Sequence, residues 1–260
     1  FGLNPRLFAK ASLTILLAKV MRGRQITGHY LYGEHMKIGI LQCGHAPDLP
    51  RQNHGDFDVM FTRILAPHGV SFQTYNVVDG DFPNDAQSAD AWLLTGSKHG
   101  AYEDHAFIAP LEDLIRDIYA REIRMVGICF GHQIAAQALG GTVEKFAGGW
   151  AIGRTAYDFD DIGTVHLNAW HQDQVVKKPA EAKTIARNGF CEHAGLLYGD
   201  TLLTLQAHPE ISPQITADYL KMAEQTGDYP NDVIDQARAR NPLPTADADI
   251  ARMMVQFMKT

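Results

Sequence analysis

An apolar segment of strand length runs without a linker into a helical segment, and a cysteine lies at the junction. Residues 124–128 read Arg-Met-Val-Gly-Ile, and helical periodicity begins at Gly131. Gly127 and Gly131 lie two residues on either side of Cys129. A turn this tight needs flanking positions without side chains, because the strand and the helix approach closely. We therefore predict an α/β fold in which Cys129 lies at a nucleophile elbow.

Short apolar runs alternate with helical segments before the elbow. Residues 38–41, 71–78 and 91–95 have the length and composition of strands, whereas residues 58–65 and 108–119 have helical periodicity. This alternation is typical of βαβ units. It predicts a doubly wound, mostly parallel sheet.

The chain after the elbow has a different pattern. Residues 150–205 contain short apolar runs broken by Gly, Asp and Asn, which predicts a small antiparallel edge. From Ser212 onward the pattern predicts a helical tail in two pieces. Because 45% of the 260 residues are hydrophobic and 20% are charged, the chain can bury one large core without disulfides or metal.

The first 35 residues are basic, whereas the rest of the chain is acidic. They contain five Lys or Arg side chains and one acid, Glu34. A basic start followed by the apolar residues 13–18 resembles a targeting segment, but Lys19 interrupts this short run and no clear cleavage pattern follows. We expect residues 1–35 to be an N-terminal extension outside the fold and residues 36–260 to form the domain.

Charge and composition exclude several classes of function. A net charge of −7 provides no basic surface for nucleic acid, and no apolar run is long enough to span a membrane. Cys43, Cys129 and Cys191 have spacings that fit neither a disulfide framework nor a structural zinc site, which predicts a reducing, cytoplasmic compartment. The sequence has no Gly-x-x-x-x-Gly-Lys-Ser/Thr phosphate loop and no His-Glu-x-x-His pair. We therefore expect no cofactor and no metal.

A second segment supplies partners for the cysteine. Gln206-Ala207-His208-Pro209-Glu210 follows an apolar run, so His208 should lie at the carboxyl end of a strand, where ligands bind in open α/β sheets. Glu210 is close enough in sequence to orient the His208 ring. A thiol that attacks an amide needs such a base and such an orienting group. Taken alone, His-Pro-Glu is better explained as the start of a helix, with His208 as one of twelve histidines.

The two segments together resemble the signatures of the class I glutamine amidotransferases. The resemblance rests on Gly-Ile-Cys-Phe-Gly-His-Gln at residues 127–133 and on His-Pro-Glu about eighty residues later. It implies a flavodoxin-like sheet, with Cys129 as the nucleophile, His208 as the base and acid, and Glu210 as the orienting group. It also implies that Gln133 contacts the bound glutamyl group.

The resemblance extends to the oxyanion hole and the substrate site. The family has a Gly-Gly-Pro-like turn after an earlier strand, where this sequence has Thr-Gly-Ser, so we expect Gly96 and Ser97 to form the turn and Ser97 to donate its amide. The second amide should come from Phe130. Trp170 and His171 match the family's Ser-His-x-Asp segment, which lies against the glutamyl backbone, with Trp170 in place of serine.

Three functions fit these residues. The protein either hydrolyses glutamine or a γ-glutamyl compound through a γ-glutamyl thioester, or it is a glutaminase subunit that passes ammonia to a separate synthetase. The Thr-Gly-Ser turn and the Gly-Ile-Cys-Phe-Gly-His-Gln string are similar to those of the free-standing γ-glutamyl peptidases, which favours hydrolysis. The third alternative is a catalytically silent or redox-sensing relative.

Overall fold

A computed structural model describes residues 36–260, and the predicted N-terminal extension lies outside the described residues. The helices are α1 (Asp48–His54), α2 (Phe57–Leu65), α3 (Ile108–Ala120), α4 (Phe130–Ala138), α5 (Pro213–Thr226), α6 (Asn231–Arg240) and α7 (Asp247–Lys259). The strands are β1 (Met36–Leu41), β2 (Val70–Tyr75), β3 (Ala91–Leu94), β4 (Arg124–Ile128), β5 (Thr142–Lys145), β6 (Ala151–Phe159), β7 (Gly163–His171), β8 (Asp173–Lys177), β9 (Ala182–Arg187), β10 (Gly195–Tyr198) and β11 (Leu202–Leu205). Short 3₁₀ turns occupy Ala66–His68 and Val77–Asp79.

Nine strands form one mixed sheet in the order β2-β1-β3-β4-β11-β10-β9-β6-β7. The first five strands in this order, from β2 to β11, are parallel to one another. β10, β9, β6 and β7 continue the sheet with antiparallel pairing. β5 and β8 form a separate two-stranded antiparallel sheet. The predicted doubly wound fold with a parallel centre and an antiparallel edge is confirmed.

Helices cover both faces of the parallel part of the sheet. α2, α5 and α7 pack on one face, over a cluster that includes Ile38, Leu93 and Val126. α3 and α4 pack on the other face, over Leu94 and Met125. Strands buried on both faces have apolar side chains at successive positions. This burial explains why the central strands are continuous apolar runs in the sequence.

The C-terminal region contains three helices rather than the two pieces that the sequence predicts. Ser212 caps α5 by accepting the N–H of Ile215, and Gly227 ends α5 in a left-handed conformation with a φ of 69°. The segment 241–246, which contains two prolines, then ends α6 and separates it from α7. Gly227 and the segment 241–246 each separate two helices. The prediction of two helical pieces was therefore wrong, since the region contains three.

The order of the strands determines where the candidate site forms. β4 lies between β3 and β11, with Leu94 beside Gly127 and Ile128 beside Leu205. Because these strands are parallel, the segments that follow them emerge at the same edge of the sheet. Separately, none of the helices within residues 36–260 is long and apolar enough to cross a membrane.

Candidate active site

Cys129 occupies a strained turn between β4 and α4. Its φ of 54° lies in the region that side-chain-bearing residues rarely adopt. Its N–H donates to the carbonyl oxygen of Leu205 at 2.8 Å, which ties the turn to β11. A Cβ on Gly127 would lie 2.5 Å from the carbonyl oxygen of Gly131, and one on Gly131 would lie 2.5 Å from that of Leu94. Both flanking positions therefore require glycine, as the elbow predicts.

His208 and Glu210 lie in the segment that follows β11. Nδ1 of His208 lies 2.6 Å from Oε1 of Glu210, and both residues are buried. The backbone N–H of His208 donates to the carbonyl oxygen of Asn168 at 2.8 Å, which links the segment to β7. The Cys129 sulfur also faces the His208 ring closely enough to raise its pKa. Because Glu210 engages Nδ1, Nε2 is the nitrogen that remains for the sulfur.

The surroundings of His208 favour its charged form. Burial is the largest single influence and lowers its pKa, but Glu210 and the Cys129 sulfur outweigh it, so the pKa is raised well above the ordinary value. A positively charged imidazolium beside a sulfur favours the thiolate over the thiol. The His208 ring can therefore hold a proton beside the Cys129 sulfur.

Among residues 36–260, neither of the other two cysteines has a histidine ring facing it as His208 faces Cys129. Cys43 and Cys191 are buried, and burial raises the pKa of each thiol to about 12. Both remain thiols at neutral pH. The three cysteines therefore differ in the groups that face them, since all are buried.

The Thr-Gly-Ser turn lies beside His208 and α4. The N–H of Gly131 donates to the carbonyl oxygen of Thr95 at 3.1 Å, which fixes the turn against the first turn of α4. A Cβ on Gly96 would lie 3.1 Å from Cε1 of His208, so glycine lets the His208 ring approach this turn closely. Ser97 follows at the edge of the cavity, and its hydroxyl oxygen accepts the N–H of His99.

Among residues 36–260, the backbone N–H groups of Ser97 and Phe130 have no backbone acceptor. Phe130 is the first residue of α4, where backbone N–H groups lack intrahelical acceptors. Its ring is fully buried and packs against Phe107 at a centroid distance of 6.1 Å. Phe130 can therefore interact with a bound substrate through its backbone amide and not through its ring.

A cavity of about 250 Å³ opens at this edge of the sheet. Six of the residues predicted from the sequence line it: Ser97, Cys129, Gln133, Trp170, His171 and His208. The other lining residues are His45, Pro47, Phe57, Lys98, His99, Gly100, Tyr102, Glu103, Lys145, Trp150, Gln172, Asp173, Ile211, Tyr219 and Tyr229. Gly96, Phe130 and Glu210 lie behind this lining.

Gln133 and Gln206 form a buried polar pair beside the sulfur. Nε2 of Gln133 donates to the carbonyl oxygen of Asp173 at 2.8 Å and to Oε1 of Gln206 at 3.2 Å. Oε1 is therefore the atom with which Gln133 can meet a substrate. Nε2 of Gln206 in turn donates to Sγ of Cys129 at 3.5 Å. Gln206 was not among the site residues predicted from the sequence, although it lies only two residues before His208.

Trp170 and His171 form part of the opposite wall. Nδ1 of His171 lies 3.2 Å from the carbonyl oxygen of Asp173, and burial lowers the His171 pKa to about 3. The neutral ring therefore donates from Nδ1 and has an acceptor at Nε2, which has no partner within the described residues. The Trp170 ring lies 4.9 Å from Tyr219 and 5.3 Å from Tyr229, between centroids.

Comparison with known proteins identifies the family to which the chain belongs. Residues 56–223 match the model of the family described as glutamine amidotransferase class-I. Gamma-glutamyl peptidase 4 of Arabidopsis thaliana is 27% identical over 215 residues, which cover 77% of this chain and 86% of that protein. A GMP synthase of Ralstonia pickettii is 29% identical over 180 residues, covering 60% of this chain and 32% of the synthase.

A solved glutamine amidotransferase from Thermotoga maritima has the same fold. It superposes with a TM-score of 0.68 at 20% identity, covering 87% of this chain and all of that chain. The family match spans α2 to α5, and so includes the elbow, the turn after β3 and the segment after β11. The chain belongs to the class I glutamine amidotransferase family and is an enzyme of that type.

Proposed function

We propose that the protein hydrolyses the γ-amide of γ-glutamyl compounds through a thioester on Cys129, with water as the acceptor. The observation that carries this proposal is that Cys129 at the elbow and His208 line one cavity, are both buried, and that Glu210 is hydrogen bonded to the His208 ring. This arrangement supplies a nucleophile, a base and a group that orients the base. The substrate is a small molecule, and the cytoplasmic location remains a prediction.

Acylation uses the proton that His208 holds. The Cys129 thiolate attacks the γ-carbonyl carbon, and the carbon–oxygen double bond becomes a single bond to an oxyanion. The amides of Ser97 and Phe130 stabilise this charge. When the oxyanion collapses, the carbon–nitrogen bond breaks and His208 protonates the leaving nitrogen, which departs as an amine or ammonia.

Deacylation reverses these roles. His208, now neutral, takes a proton from water as the oxygen attacks the thioester carbonyl. Collapse of the second oxyanion breaks the carbon–sulfur bond and releases glutamate. The sulfur leaves as a thiolate beside the imidazolium, which restores the starting pair. In total, one γ-amide and one water give glutamate and one amine.

The wall of the cavity supports a substrate larger than glutamine. Trp170 replaces a small residue of the family pattern and lies with Trp150, Tyr219 and Tyr229 along the cavity. These rings provide contact area beyond the glutamyl group, which a peptide can use and free glutamine cannot. The similarity to gamma-glutamyl peptidase 4 supports the same substrate class.

A second candidate is a glutaminase subunit that supplies ammonia to a separate synthetase. The similarity to a glutamine-hydrolyzing GMP synthase, 29% identical over 180 residues, supports this candidate. This function predicts low activity without the partner. A silent or redox-sensing relative is disfavoured, because Cys129, His208 and Glu210 are all present and Glu210 is hydrogen bonded to the His208 ring.

The deciding experiment compares kcat/KM of the purified chain for glutamine, glutathione and γ-glutamyl dipeptides, without nucleotide or partner. Hydrolysis of at least one peptide faster than glutamine supports the proposal. If the chain alone is inert on every peptide and a cell extract restores glutamine hydrolysis, the protein is instead a subunit. If neither occurs and Cys129 reacts no faster than Cys191 with a thiol reagent, the silent alternative holds.

A further inference from the structure

The loop between β3 and α3 brings together three potential metal ligands that the cavity chemistry does not use. One ligand atom from each of His99, Glu103 and His105 lies within 4.8 Å of the other two. Oε2 of Glu103 lies 2.8 Å from Nε2 of His105 and 3.8 Å from Nδ1 of His99. The carboxylate oxygen therefore faces a ring nitrogen of each histidine.

The loop folds back through consecutive tight turns. The N–H of Glu103 donates to the carbonyl oxygen of Gly100, and the N–H of His105 donates to that of Glu103, both at 3.1 Å. A Cβ on Gly100 would lie 2.9 Å from the Tyr102 ring, which would then have to move aside. These turns bring positions 99, 103 and 105 together. The spacing is not a known metal motif, which is why the sequence led to an expectation of no metal.

The imidazole rings of His99 and His105 pack against each other and against Phe107. Their centroids lie 4.1 Å apart, and the Phe107 ring packs 5.8 Å from His99 and 5.9 Å from His105. Phe107 in turn packs on Phe130, beside the nucleophile. The exposed fractions of the His99, Glu103 and His105 side chains are 21%, 45% and 35%, so an ion can reach them from solvent.

We propose that His99, Glu103 and His105 bind Zn²⁺ at the mouth of the cavity. Zinc takes imidazole nitrogens and carboxylate oxygens at about 2.0–2.2 Å in a tetrahedral arrangement, which places ligand atoms about 3.3 Å apart. Small side-chain rotations bring this group to that spacing. Two imidazoles and one carboxylate match zinc better than calcium or magnesium, which prefer all-oxygen sites.

Three protein ligands leave a fourth position for water or another small ligand. His99 and Glu103 also line the cavity, so the ion lies at its entrance. His99 is two residues from Ser97 and donates its N–H to the Ser97 hydroxyl. Bound zinc therefore fixes the loop that carries one of the proposed oxyanion amides.

The test measures Zn²⁺ binding in a Cys129→Ser background, because the Cys129 thiolate and His208 would themselves bind zinc. Competition with a chromophoric chelator should give one zinc per chain. His105→Ala and Glu103→Gln should each raise the Kd at least tenfold, whereas His166→Ala, at a half-buried histidine on β7, should leave it unchanged. Absence of binding, or equal binding in all variants, overturns the proposal.

Two further measurements guard against a folding artefact. Zinc should raise the Tm of the background protein by mass action and leave that of His105→Ala unchanged. X-ray absorption of the zinc complex should show two imidazoles and a carboxylate oxygen. A sulfur ligand or a single imidazole would show that the ion binds elsewhere, even if the variants raise the Kd as expected. This proposal is independent of the hydrolytic function, since the background lacks the nucleophile.

Discussion

The two sides of the cavity are built in different ways. Cys129 and His208 follow β4 and β11 by one and three residues, so the register of adjacent parallel strands positions them. Trp170 instead lies on the β6–β7 hairpin, and its ring packs on Tyr219 of α5 and on Tyr229. Local backbone geometry thus fixes the reacting groups, whereas long-range packing shapes the wall. We expect changes at the strand ends to reduce turnover and changes in the wall to alter substrate choice.

The largest effect should come from Cys129→Ser. The serine hydroxyl is far less ionised than a thiol, and removing one member of a catalytic triad lowers kcat by on the order of 10⁴-fold or more. The measurement is kcat on a saturating γ-glutamyl peptide, with Cys191→Ala as the control for loss of a buried thiol. An alkylating glutamine analogue should label Cys129 and leave Cys43 and Cys191 unmodified. Equal labelling of all three would contradict the assignment of the nucleophile.

Glu210→Gln should reduce activity by roughly 10²-fold or more, the scale of general acid–base catalysis. The charge of Glu210 raises the pKa of His208, and an amide carries no charge, so the variant should lower that pKa. The active form needs imidazolium, which is lost as the pH rises through this pKa. The basic limb of the kcat/KM profile should therefore move to lower pH.

Asp247→Asn is the matched control for the Glu210 variant. Asp247 is a half-buried acid whose own pKa is raised to about 6, chiefly by burial and in part by Glu210, and it is not among the groups that shift the pKa of His208. Its substitution should leave the basic limb in place. If the basic limb of the kcat/KM profile also stays in place in Glu210→Gln, Glu210 only packs against the His208 ring.

Ser97→Pro should reduce kcat by on the order of 10²-fold, because proline deletes the N–H that we assign to the oxyanion hole. Ser97→Ala keeps this N–H and should retain most activity, although the hydroxyl that accepts the His99 N–H is lost. Steady-state kcat on one peptide compares the pair. A large loss in the alanine variant would show that the hydroxyl itself acts in the reaction.

The sequence identified the site residues whose position depends on neighbours only a few residues away in the chain. The elbow at Cys129 follows from glycine spacing, and the contact between His208 and Glu210 follows from their separation of two residues. Tyr219 and Tyr229 could not be assigned to the wall, because they come from the C-terminal region and reach Trp170 only after the sheet and helices pack. Helix α1 was also missed, since Pro50 lies within its seven residues.

The smallest effect should come from the wall, through Trp170→Ala. If the Trp170 ring contacts the part of the substrate beyond the glutamyl group, its loss should raise KM for γ-glutamyl peptides about tenfold, since a buried aromatic contact is worth on the order of 1 kcal/mol. Turnover should change little, because Cys129 and His208 are positioned by the parallel strands. Free glutamine lacks the extra group, so its kinetic constants should remain close to those of the parent protein. Trp170→Phe keeps a ring and should restore most of the peptide preference. Parallel loss on peptides and glutamine, mainly in kcat, would show that the wall positions the nucleophile instead, and the division between the two sides of the cavity would fail.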